Sequence, residues 1–196
     1  LGDFKEVEMS VFFLDIRNFT QFSETMSPED NFKFINSFLK RFGPIIRQNG
    51  GFVDKYIGDG IMALFPSPPD SALKAALAVR AALIDFNRIR ASYNKHSIEV
   101  GIGIHTGRLM LGTIGENRRM DSTVISDTVN TASRLEELTK KIGSDIIISQ
   151  GTIDKIDDRE LFHMSHVGTE RVKGKSQLID IFSLNWSEVD DIELID

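Results

Sequence analysis

Residues 52–65 read FVDKYIGDGIMALF, two apolar runs around Gly58-Asp59-Gly60. Tight hairpin turns need positive φ, which glycine adopts at no steric cost, so this stretch predicts a β-hairpin. The hairpin organises what flanks it. Upstream, residues 9–15 (MSVFFLD) form an apolar and aromatic run that reads as a buried strand. Ser27-Pro28 then opens a helix, a hydroxyl cap followed by a residue that needs no amide partner. Phe34, Ile35, Phe38, Leu39 and Phe42 recur along it at three- and four-residue spacing, giving one apolar stripe. Gly43-Pro44 is expected to kink or break that helix, and Asn49-Gly50-Gly51 to end it.

Downstream, Pro68, Pro69 and Asp70 open a second amphipathic helix that runs to about Tyr93. Residues 98–105 and 109–114 flank Thr106-Gly107-Arg108 and read as a second strand pair. A third helix is expected from Ser126 or Asp127 to Gly143, with Glu136 and Glu137 four residues ahead of Lys140 and Lys141. Short strands at 145–149, near 160–167 and at 178–183 complete the chain. This order predicts an α+β fold around a ferredoxin-like βαββαβ core with extra C-terminal strands. One domain over residues 1–187 is expected, followed by an acidic, mobile tail at 188–196.

Composition narrows the function. The 196 residues carry 29 Asp and Glu against 23 Lys and Arg, a net charge of −6. Nucleic acid is therefore not an expected partner, because sequence-independent binding needs cationic surface to release counterions. Hydrophobic residues at 41% and charged residues at 27% exclude a disordered or collagen-like chain. The absence of cysteine rules out a disulfide framework and a thiolate nucleophile or metal ligand. No run reaches the roughly 18 apolar residues of a spanning helix. The chain begins at Leu1 without a basic-then-apolar leader, which reads as a domain cut from a longer protein. Membrane association is expected only through segments outside this chain.

Two carboxylates stand out by position. Asp15 ends the first buried strand and Asp59 sits in the hairpin turn, so adjacency in one sheet would bring them together. Carboxylate oxygens on rigid backbone suit Mg²⁺ or Mn²⁺, with phosphate completing the shell. Read locally, the same residues are as well explained as a turn cap and a turn acid. Gly101, Gly103 and Gly107 have GxGxxxG spacing among strand residues, which is not a dinucleotide cradle, and no GxxxxGK[ST] loop is present. Asn130 and Arg134 share one face of the third helix. Asn is a poor mid-helix residue, yet the pair alone reads as a solvated face, as do the charges from Glu136 to Lys141. His105, near a strand end, reads as structural.

Five strings converge on one family: FFLDIRNFT (12–20), GGFVDKYIGDGIMALF (50–65), GIHTG (103–107), DSTVISDTVNTASRLE (121–136) and VKGK (172–175). In order and spacing they resemble the catalytic domain of class III nucleotidyl cyclases, over residues 9–183. The resemblance implies an adenylate cyclase that converts ATP to 3′,5′-cyclic AMP and pyrophosphate. It gives Asp15 and Asp59, with the backbone carbonyl of Ile16, to two divalent cations, Mg²⁺ or Mn²⁺, with Ca²⁺ an option at one site. It gives Lys55 and Thr123 to the purine, Asn130 to the ribose, Arg134 to the transition state and Lys173 to the terminal phosphates.

Hydrogen bonding favours adenine at that purine pair. Adenine offers an acceptor at N1 and a donor at its 6-amino group, which suit a Lys ammonium and a Thr hydroxyl; guanine reverses both. Guanylate cyclases of the family carry Glu at the lysine position. Thr123, where the membrane-bound animal enzymes have Asp, resembles the subset that includes cyanobacterial cyclases and the mammalian soluble adenylyl cyclase. That makes bicarbonate a candidate activator. In the family one domain supplies the metal aspartates and another the base-reading, Asn and Arg residues. This chain holds both sets, so the resemblance implies a homodimer with two equivalent sites, and a cytoplasmic catalytic domain. The alternative is an inactive nucleotide-binding and dimerisation module; such members usually lose a metal Asp or the Arg, and both are present here. The GG(D/E)EF string of a diguanylate cyclase is absent.

Overall fold

The hairpin forms where the glycines put it. Strand β2 (Phe52–Ile57) returns antiparallel as β3 (Gly60–Pro66) through a turn with Gly58 at φ +60°. The computed structural model describes residues 4–116, 119–171 and 178–185, and over residues 113–125 it describes backbone only. β3 pairs with β1 (Phe4–Ile16), and β1 pairs with β4 (Val100–Glu116), both antiparallel. Helix α2 (Pro28–Gln48), preceded by a short α1 (Phe19–Ser23), links β1 to β2; α3 (Asp70–Ser92) links β3 to β4. The strand order β2-β3-β1-β4 is the ferredoxin-like βαββαβ arrangement expected.

Extra strands widen the sheet beyond β4. After β5 (Arg119–Ile125), α4 (Asp127–Ile142) leads into β6 (Ile146–Ser149), which lies parallel to β4. A short α5 (Gln150–Ile153) and a 3₁₀ turn (Arg159–Leu161) precede β7 (Met164–Arg171) and β8 (Leu178–Leu184). β8 pairs with β6, and β7 with β8, both antiparallel. Lys173 and the acidic tail at 188–196 lie outside the described residues.

Local chemistry explains the helices. Ser27 Oγ accepts the Asp30 amide at 3.1 Å, with Pro28 opening α2 behind it. Phe34, Phe38, Phe42 and Ile46 of α2 are buried with Phe12, Leu14 and Phe65 of the sheet and Phe86 of α3. Phe42 meets Phe38 at 4.6 Å and Phe86 at 5.5 Å between ring centroids. Of the kink or break expected at Gly43-Pro44, the break does not occur; α2 continues to Gln48 with Pro44 inside it. Buried Phe42 and Ile46 pin the turns on either side. Lys40, whose carbonyl loses its amide partner to the proline, is exposed to water that can replace it.

The second strand pair is also corrected. Thr106-Gly107-Arg108 is no turn: β4 is one strand, bound to β1 from Ile16↔Val100 to Phe4↔Gly112. Gly107 serves close approach instead of positive φ. Gly101, Gly103 and Gly107 have the same parity on β4 and so share one sheet face. A Cβ on them would come within 2.3 Å of Thr139 Oγ1, 2.2 Å of Glu136 N and 2.7 Å of Thr128 Oγ1, respectively. The glycines are thin places on which α4 sits. Helices α2 and α3 cover one face of the sheet; α4 covers the other, over Met9, Val11, Met62, Leu64 and Leu109.

Because a Cβ at Gly103 meets helix backbone, which cannot step aside, Gly103→Ala should destabilise the domain by about 3 kcal/mol. For a chain of this length that corresponds to a fall in Tm of roughly 6–12 °C by thermal denaturation.

Candidate active site

Strand register brings the two singled-out carboxylates together. Leu14 faces Ile61 across β1 and β3, so Asp15 at the end of β1 arrives beside the turn that carries Asp59. Gly60 makes the approach feasible: a Cβ there would lie 3.0 Å from the Leu14 carbonyl and 3.2 Å from Asp15 Oδ1. Asp15 Oδ1 accepts the Ile16 amide at 3.0 Å, which fixes its rotation. Burial raises the Asp15 carboxyl to about 8, and Asp59 alongside and the charge of Glu136 add to the rise; the Ile16 amide opposes it. Asp59 Oδ2 is buried and has no hydrogen-bond partner among the described residues.

Glu136 joins this pair, although its place in a run of charges reads as solvent-facing. It is half-buried, and burial raises its carboxyl to about 7; Glu137 and Asp59 reinforce the rise and Arg17 opposes it. Its position was encoded in the helix period. Ala132, Glu136 and Thr139 recur at i, i+4 and i+7, and all three lie against the glycine face of β4. Arg17, one residue beyond Ile16, is anchored by the Ser144 carbonyl at 2.7 Å and by Asp145 at 3.3 Å.

The donor set at Asp15 and Asp59 fits a divalent cation. Two carboxylates press together, one with an unpartnered buried oxygen, and a backbone carbonyl follows at Ile16. Among the described residues no group of three or more acidic or histidine side chains encloses an ion by itself. Such a site leaves most of the coordination shell to water and to phosphate oxygens, as magnesium sites commonly do.

Asn130 and Arg134 share an exposed face of α4, as their spacing predicts. Arg134 Nη1 donates to Glu137 Oε2 at 3.0 Å, and its Nη2 and Nε lie 3.3 and 3.4 Å from Glu170 Oε1 on β7. These carboxylates, Glu137 first, raise the guanidinium pKa. Arg134 and Glu136 are two residues apart and therefore about 200° around the helix. Glu136 points to the aspartate pair of its own chain; Arg134 points the other way, to β7. One chain does not bring Arg134 to Asp15 and Asp59. Nor does the register make neighbours of the purine pair: Lys55 faces Met62 on β3, whereas Thr123 faces Gly112 near the far end of β4. His105 Nδ1 pairs with the Ser149 hydroxyl at 2.6 Å, in keeping with a structural role.

Residues 4–185 match the family described as the adenylate and guanylate cyclase catalytic domain. The chain belongs to this family. The cyclase domain is 43% identical to an adenylate cyclase of Anabaena cylindrica over 182 residues, 90% of this chain and 36% of that protein. It is 40% identical to the terminal-differentiation-specific adenylate cyclase of Dictyostelium discoideum over 197 residues, 97% of this chain and 9% of that protein. The chain thus spans about a third or less of these relatives. Its fold matches the crystal structure of the adenylyl cyclase CyaB from P. aeruginosa with a TM-score of 0.80 at 30% identity, covering 96% of this chain and 98% of that one.

The paired acids of the cyclase domain make a stability prediction. Asp15 titrates at about 8 in the folded chain against 3.8 for the ordinary group. Its contribution to folding is therefore complete below pH 4 and is lost as pH rises toward 8. In chelator, Asp15→Asn should match the parent near pH 4 and exceed its Tm by pH 8. Discounted for the solvent that reaches this half-buried pair, the gain should be on the order of 1 kcal/mol, or roughly 2–4 °C, in a differential scanning measurement.

Proposed function

We propose that the domain is an adenylate cyclase that works as a homodimer, each site taking its carboxylates from one chain and Arg134 from the other. The observation that carries this reading is the geometry of α4. The helix gives Glu136 to the aspartates beneath it and turns Arg134 away, so a site needing both sets is completed by a second copy. A two-fold dimer then forms two equivalent sites. The named adenylate cyclases at 40–43% identity support ATP as the substrate, as does the donor-only chemistry of Lys55.

In this reading the ribose 3′-hydroxyl of ATP gives its proton to water, its oxygen attacks the α-phosphorus, the bond to the bridging oxygen of pyrophosphate breaks, and 3′,5′-cyclic AMP forms. Asp15, Asp59 and the Ile16 carbonyl would hold divalent cations, Mg²⁺ or Mn²⁺, which when bound would supply Lewis acidity toward the 3′-hydroxyl and the phosphates. Lys55 donates to the purine N1, and the Thr123 hydroxyl accepts from the 6-amino group. Asn130 orients the ribose through its amide. Arg134 meets the charge that develops on the transferring phosphoryl group, and Lys173 holds the terminal phosphates. Glu170 and Glu137, which occupy Arg134 in the free chain, fix the plane of its guanidinium.

Arg134→Ala and Asn130→Ala should each lower kcat by roughly 10²–10³-fold, provided the site excludes water, while leaving the KM for ATP within a few-fold. Steady-state assay of cyclic AMP checks this, and parental turnover in either variant overturns the assignment. The shared site is tested by mixing Asp59→Ala with Lys55→Ala. Heterodimers carry one intact site, so an equimolar mixture of the inactive Asp59→Ala protein and the weakened Lys55→Ala protein should gain about a quarter of parental activity. No recovery from demonstrated heterodimers rejects the composite site.

A further inference from the structure

Asp54 is a charged side chain with no part in the reaction described so far. It stands where the pairing of β2 with β3 slips: Val53 faces Ala63, Lys55 faces Met62, and Asp54 is the extra residue of a β-bulge. In a regular strand, successive side chains point to opposite faces, which would hold a carboxylate at 54 away from an ammonium at 55. The bulge removes that alternation, and Lys55 Nζ lies 3.2 Å from Asp54 Oδ2.

The two ends of this pair differ in surroundings. The Asp54 side chain is 8% exposed and that of Lys55 43%. Asp54 Oδ2 is buried and accepts no hydrogen bond among the described residues, so its contact with Lys55 is an ion pair without hydrogen-bond alignment. A carboxylate buried to this degree is costly unless a cation compensates it. The Coulomb attraction therefore holds the flexible lysine stem in place while its N–H donors make no hydrogen bond among the described residues. An ammonium tethered in this way is ready to donate to a ligand acceptor and loses less side-chain entropy when it does.

We infer that Asp54 is a positioning residue for base recognition. The bulged carboxylate fixes the Lys55 ammonium at the purine edge, and so sets the preference for a 6-amino purine with an N1 acceptor over a 6-oxo purine with an N1 donor. The inference rests on the assignment of Lys55 to the purine.

Initial rates of cyclic product from ATP and from inosine triphosphate, with Mn²⁺, test it in the parent, Asp54→Asn, Asp54→Ser, Asp54→Glu and Lys55→Ala. The neutral variants should raise the KM for ATP and reduce the ATP-over-inosine kcat/KM ratio by about tenfold, with kcat for ATP little changed. Asp54→Glu, which keeps the charge, should hold most of the parental ratio. In a Lys55→Ala background, Asp54→Asn should change the ratio no further. A purely structural role lowers kcat for both nucleotides alike and leaves the ratio unmoved; that result in the two neutral variants overturns the role of Asp54. An unmoved ratio in Lys55→Ala overturns the assignment of Lys55, and this inference with it.

Discussion

Antiparallel pairing of β1 with β3 forces two acids together against their mutual repulsion. Backbone hydrogen bonds set the register, Gly60 admits the close approach, and neither Asp15 nor Asp59 can retreat without breaking the sheet. Burial and like charge then push the Asp15 carboxyl far above its ordinary range, a state that a bound cation would relieve. The chain holds this unfavourable arrangement because the surrounding core is large. Phe12, Leu14, Phe38, Phe42 and Phe65 are fully buried behind the strand that carries it. Strain of this kind at a strand end, offset by packing elsewhere, is the ordinary signature of a site built to take a ligand.

The helix across the other face divides the chemistry. Gly101, Gly103 and Gly107 let α4 descend until its backbone touches β4, and that closeness delivers Glu136 to the aspartates. The same contact fixes the helix rotation, so Asn130 and Arg134 face outward together. A glycine stripe thus determines which functional groups belong to a chain's own carboxylates and which are offered elsewhere. In the free chain Arg134 is paired with Glu137 and Glu170, a partly exposed arrangement whose value lies in orientation more than in stability.

Features encoded by local backbone chemistry were legible in the sequence. Gly58-Asp59-Gly60 announced the hairpin, Ser27-Pro28 the start of α2, and the strand-end and turn positions of Asp15 and Asp59 their meeting. Features that depend on what packs above a residue were not. Gly107 reads as a turn until a helix is known to lie on it. Pro44 reads as a breaker until Phe42 and Ile46 are known to be buried around it. Arg119–Ile125 (RMDSTVI) becomes a strand because β4 runs on to Glu116 and gives it a partner. Glu136 sits in a string of charges, and only the i, i+4, i+7 relation to Ala132 and Thr139 marks its buried side. The bulge at Asp54 slips the register by one residue with no glycine or proline to signal it.

The family's description spans adenylate and guanylate cyclases, so the scaffold leaves the choice of base open. That division has a physical basis in where the groups sit. Asp15 lies near the end of β1 and Asp59 in the turn that leads into β3, so a shift of either strand breaks ladder hydrogen bonds and disturbs the core. Lys55 lies on β2, the edge strand of the path β2-β3-β1-β4, and Thr123 on β5, which pairs with the far reach of β4. Edge strands tolerate bulges and substitutions that central strands do not. A fold that places metal-suited carboxylates where its paired strands β1 and β3 meet a turn, and the side chains proposed to read the base on its outer strands, can keep one chemistry while its purine preference changes residue by residue.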